Sequence, residues 1–169
     1  MVHRYDIVTK SGFTFQGNRG PWLFKGETLY QRYEEEIVTG SGMTIDDYYA
    51  FTTGLEYSFY GLLFDNQDVG LILEWIECSD EGKELVIYPN HFFSGLRYTF
   101  NNQSDRSFLL GGYFNYKDHE NVIRLEYSER LWEQFTLEVE GLLIDADDDA
   151  MFGPFNKSSR IGGKLTWHF

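Results

Sequence analysis

The chain has 169 residues, with 14 Lys plus Arg against 27 Asp plus Glu and a formal net charge of -13. That length suits one domain with its own core, and the acidic balance excludes a nucleic-acid interface, which needs a basic footprint. The single cysteine, Cys78, excludes an intramolecular disulfide and a thiolate metal site.

Aromatics make up 18% of the chain, and there are 17 glycines but only 3 prolines. Aromatics favour pleated, half-exposed surfaces, and glycines mark turns or close packing within strands. Nine strands are predicted, near 4–17, 22–34, 47–61, 68–78, 91–101, 106–117, 121–131, 135–145 and 158–169. Each alternates with period two, one parity apolar and the other polar. In the third strand Tyr49, Phe51, Leu55, Tyr57 and Phe59 oppose Thr52, Gly54, Glu56 and Ser58. In the fourth, Val69, Leu71, Leu73 and Trp75 oppose Asp68, Gly70 and Glu74. The first strand is the weakest, with Ser11 among its apolar positions. The last runs to the end of the chain, with Ile161, Leu165, Trp167 and Phe169 against Arg160, Lys164 and His168.

The connections alternate too. Those at 35–46, 79–90 and 146–157 are long, whereas 18–21, 62–67, 102–105 and 132–134 are short; 118–120, on the long-loop side of the alternation, is shorter than the pattern expects. Pro21, Pro89 and Pro154 all fall in connections. Short turns on one rim and longer loops on the other are the pattern of an outer-membrane β-barrel. No apolar run approaches the roughly 18–20 residues of a membrane helix. A mean hydropathy of -0.40 is compatible with a barrel that shows only half its residues to lipid. The expected fold is all-β, an antiparallel up-and-down transmembrane β-barrel forming one domain over 1–169.

The polar parity supplies candidate lumen-lining residues: Lys25, Glu27, Glu56, Glu74, Arg97, Arg124, Glu126, Arg130, Glu138, Glu140, Arg160 and Lys164. Such side chains either set the selectivity of a wet pore or pair and fill the interior. Glu138 and Glu140 share a face at roughly 7 Å along the strand. They read more simply as interior carboxylates beside arginines than as an acid–base pair. Asp145, Asp147, Asp148 and Asp149 form an acidic cluster that reads as a solvated loop, with a hard-cation site as the sharper alternative. The histidines His3, His91, His119 and His168 show neither ligand spacing nor a nucleophile motif. No enzyme activity and no cofactor are expected.

The terminal I-G-G-K-L-T-W-H-F, with Gly162, Leu165, Trp167 and Phe169 as its signal residues, resembles the C-terminal assembly signal of Gram-negative outer-membrane β-barrels. Segments 92–102, 108–114, 125–132 and 137–141 are similar to the last third of a family of porin-like outer-membrane proteins of uncharacterised activity. Segments 21–30 and 49–59 look like upstream strands of that family. The resemblance implies the bacterial outer membrane as location, membrane lipid and the barrel-assembly machinery as partners, and passive transport as function.

Members of that family are longer, so the chain is expected to be a C-terminal portion whose missing partners are N-terminal strands of the same protein. The absence of an apolar signal segment in Met1 to Asp6 points the same way. Nine strands cannot close with antiparallel pairing throughout. Either further strands complete the ring, or 4–17 lies outside it and the other eight close into a small, side-chain-filled barrel. Two other readings compete: a soluble lipocalin-like binder with its apolar face inward, and a membrane-embedded hydrolase, for which no nucleophile is present.

Overall fold

The computed structural model describes residues 7–34, 37–38, 44–45, 47–62, 66–79 and 88–169. Its strands are β1 (Val8–Arg19), β2 (Trp22–Tyr33), β3 (Ile37–Val38), β4 (Thr44–Ile45), β5 (Tyr48–Tyr60), β6 (Asp68–Cys78), β7 (His91–Thr99), β8 (Ser107–Asn115), β9 (Glu120–Leu131), β10 (Phe135–Ala146) and β11 (Arg160–Trp167). β3 and β4 form a two-stranded sheet of their own within the predicted 35–46 loop. A 3₁₀ helix, Gly153–Ser158, precedes β11. Neither feature carries an amphipathic pattern that sequence reading detects. Residues 4–6 of the predicted first strand lie outside the described residues.

The other nine strands make one antiparallel meander, β1-β2-β5-β6-β7-β8-β9-β10-β11. The sheet is open: these nine strands do not close into a ring by themselves. β1 pairs with β2 along its whole length, so the alternative of an eight-stranded ring without it does not form. β11 pairs with β10 alone among the described residues. The physical reason is direction: the first and ninth strands of a meander run the same way, and antiparallel pairing cannot join them.

The registers keep the two parities in unbroken rows across the sheet. One row links Trp22, Tyr57, Leu71, Leu96, Leu110, Leu125, Gly141 and Ile161 from β2 to β11. Leu71, Leu110 and Ile161 of this row are 42%, 42% and 80% exposed, and Tyr57, Leu125 and Gly141 are half-buried. The buried strand residues lie mostly on the opposite parity, among them Gln31, Tyr48, Cys78, His91, Glu120, Val122, Ile144 and Ala146, with Val69 and Gly112 the exceptions. Alternation alone leaves the orientation of the two faces undetermined. The fold leaves much of the apolar face exposed; on the polar one, burial gathers toward the loop-rim end, while Glu27, Arg97, Arg124, Glu140 and Arg160 stay exposed.

The rims differ as well. The strand ends joined by 34–47, 79–90, 116–119 and 147–159 share one rim, the loop rim; those joined by 20–21, 61–67, 100–106 and 132–134 share the other, the turn rim. The chain ends on the turn rim, where the His168 N–H donates to Gln134 O at 2.8 Å. No helix among the described residues is long and apolar enough to cross a membrane.

Candidate functional site

The polar face carries most of the titratable side chains, and its charges pair. Lys25 on β2 reaches across β5 to Glu74 on β6. Gly54 makes this possible, because a Cβ there would lie 2.6 Å from Lys25 Cε. Arg97 on β7 likewise reaches Glu56 on β5, passing beside Gly70 of the intervening strand. Arg124 Nε lies 2.7 Å from Glu126 and its Nη2 3.9 Å from Glu140. Lys164 Nζ donates to Glu138 at 2.8 Å, straight across the β10–β11 ladder. Lys164 thus holds Glu138, while Glu140 stays exposed beside Arg124.

Three predicted lumen residues stand apart from these pairs. Arg130 lies 3.6 Å from Asp105 at the turn rim. Arg160 stands opposite Leu142, and Glu27 stands between Thr14 and Thr52. Of the signal residues, Gly162 has nothing within 4 Å of where a Cβ would stand, and Leu165, Trp167 and Phe169 are exposed.

Sequence reasoning missed the most enclosed part of the site, at the loop-rim end of the polar face. His91 opens β7 and Glu120 opens β9, and both are closed to solvent. His91 Nε2 lies 3.1 Å from Glu120 Oε1, off the line that a hydrogen bond needs. The other ring nitrogen, Nδ1, is 2.7 Å from Pro89 O. Glu120 Oε2 accepts the Phe152 backbone N–H at 2.8 Å. One buried carboxylate thus ties the 147–159 loop to the wall.

Four rings cover this pair. Tyr88 stacks on Tyr113 at 3.9 Å with planes 2° apart, and on Phe152 at 5.1 Å; its edge meets His91 at 5.5 Å. Phe93 meets Tyr113 at 4.7 Å and lies over Gly95 and Gly111, where Cβ atoms would come 2.9 and 2.6 Å from its ring. Aromatic cover of strand glycines is a sheet-stabilising device. Tyr88 is held at φ 59°, followed by Asn90 at φ 59°. Burial pushes the Tyr88 hydroxyl above the usual tyrosine range, with Arg124 opposing and Glu120 adding to the shift. His91 and Glu120 each sit beside a connection, and only the β7–β8–β9 register brings them together.

Beside the pair opens a cleft of about 570 Å³, lined by Asn90, Asn115, Lys117, His119, Glu120 and Asp147 among others. The acidic cluster borders it but does not converge. His119 separates two of its members, with Nε2 3.6 Å from Asp145 and Nδ1 3.3 Å from Asp147. Asp148 and Asp149 are exposed. Among the described residues no three His, Cys, Asp or Glu side chains are placed to hold a metal ion. No family model, curated protein or solved structure matches this chain.

Proposed function

We propose that this chain is a transmembrane arc of a bacterial outer-membrane β-barrel, a porin-like passive channel whose charged polar face lines the lumen. The observation that carries this reading is the bare apolar face. Its aliphatic rows end in aromatics near both rims: Trp22, Tyr57 and Phe135 toward the turns, and Tyr49, Trp75 and Tyr116 toward the loops. A lipid-facing band flanked by aromatic girdles has this order. A soluble binder with an apolar interior would need the opposite face covered. The likeness of the closing strand to an outer-membrane assembly signal supports the same location, with lipid and the assembly machinery as partners. In this reading further strands of the same protein pair with the open edges of β1 and β11.

A second reading is a plugged barrel with a structural or surface role. The ring stack of Tyr88, Tyr113 and Phe152 favours it, because it packs against the loop-rim end of the polar face. Planar-bilayer recording of the full-length gene product separates the two. Discrete conductance steps support the channel, and their absence in a folded, inserted protein supports the plug. A monodisperse, detergent-free protein that takes up an apolar dye overturns both.

A further inference from the structure

One stretch of the apolar face is recessed. Trp22 of β2, Leu55, Tyr57 and Phe59 of β5, and Leu71 and Leu73 of β6 line a groove of about 380 Å³. The Tyr57 ring meets Trp22 at 4.4 Å and Phe59 at 4.5 Å, both edge-on, which builds an aromatic wall at the turn-rim end. Leu55 and Leu73, register partners, continue the lining toward mid-strand. From Phe59 to Leu55 the groove follows the strand for about 13 Å at roughly 3.3 Å per residue. A cation stands at its rim end. Arg19 closes β1 directly opposite Trp22, on the same face, and is exposed.

We propose that this groove holds one acyl chain of an anionic phospholipid, with Arg19 binding the headgroup phosphate. The inference rests on the membrane reading above. A groove that runs along a membrane-crossing strand is aligned for a lipid chain, and its apolar lining offers that chain no polar partner. The guanidinium fork matches a phosphate, and the rim is where the headgroup of such a lipid would stand. A protein segment docked here would bury backbone N–H and C=O groups against a wall that cannot satisfy them.

The test uses Trp22 as reporter, in a chain with Trp75, Trp132 and Trp167 changed to Phe. It is reconstituted in vesicles containing phosphatidylglycerol or phosphatidylcholine with brominated acyl chains. Phosphatidylglycerol should quench Trp22 at about fivefold lower mole fraction, the factor given by roughly 1 kcal/mol for a basic residue at a membrane surface. Arg19→Gln should abolish the preference, and Leu73→Phe, which fills the groove, should weaken quenching by both lipids. Equal quenching by the two headgroups, or a preference that survives Arg19→Gln, overturns the lipid site and leaves the membrane reading intact. If neither lipid quenches Trp22, both fail.

Discussion

Glu120 holds two elements at once: its Oε1 lies 3.1 Å from His91 Nε2, and its Oε2 accepts the Phe152 N–H at 2.8 Å. Removing one member of a buried polar pair leaves the groups it met without a partner, at about 1–3 kcal/mol. Glu120→Ala should lower unfolding stability by that order and free the 147–159 loop. Hydrogen exchange at Phe152 reads the loop directly. The double variant Glu120→Leu with His91→Leu should recover part of the loss, because neither polar partner then remains.

The two faces predict opposite responses to one substitution. Leu110 and Leu109 are adjacent on β8, the first on the bare apolar face and the second opposite Arg97 and Glu126. In lipid vesicles Leu110→Arg should cost about 2–4 kcal/mol if its row lies near the bilayer midplane. Leu109→Arg should cost less. Equal costs in a folding titration would count against lipid contact.

Gly111 and Gly162 both lie in strands, yet their surroundings differ. A Cβ at Gly111 would meet the Phe93 ring at 2.6 Å, whereas nothing lies within 4 Å of one at Gly162. Gly111→Ala must displace the ring and should cost about 1–3 kcal/mol. Gly162→Ala should stay within about 0.5 kcal/mol. Denaturant unfolding of the pair checks both.

Lys25 and Glu74 form a bridge over a glycine of the strand between them. Lys25→Glu alone should destabilise, and adding Glu74→Lys should restore part of the loss. A double-mutant cycle should give a coupling of roughly 0.5–3 kcal/mol. Additivity would show that the bridge contributes nothing.

Tyr88 should titrate late. Burial raises its pKa in the fold, so the stability it contributes is present below the ordinary tyrosine value of about 10. That contribution is lost as pH rises through the higher folded value. The phenolate absorbance difference between the parent and Tyr88→Phe should have its midpoint above that of a free tyrosine. The stability gap between the two proteins should narrow at alkaline pH.

Much of this architecture was legible in the residues because a pleated strand has a strict period of two. That period marked all nine strands of the sheet, the two rims and the polar parity that Lys25, Glu56, Glu74, Arg97, Glu138 and Lys164 share. It did not reveal β3, β4 or the 3₁₀ helix, which are too short to display a period. It also left out His91 and Glu120. Each is unremarkable in its own segment, and the buried pair exists only through the strand between them.

The sequence by itself determined the strands and their two faces, since alternation is local. Tertiary structure decided three further matters. It buried the loop-rim end of the polar face, which depends on how the 147–159 loop folds against the sheet. It reached charges across glycines, which depends on register. And it left β1 and β11 unjoined, because two strands that run in the same direction cannot complete an antiparallel ladder.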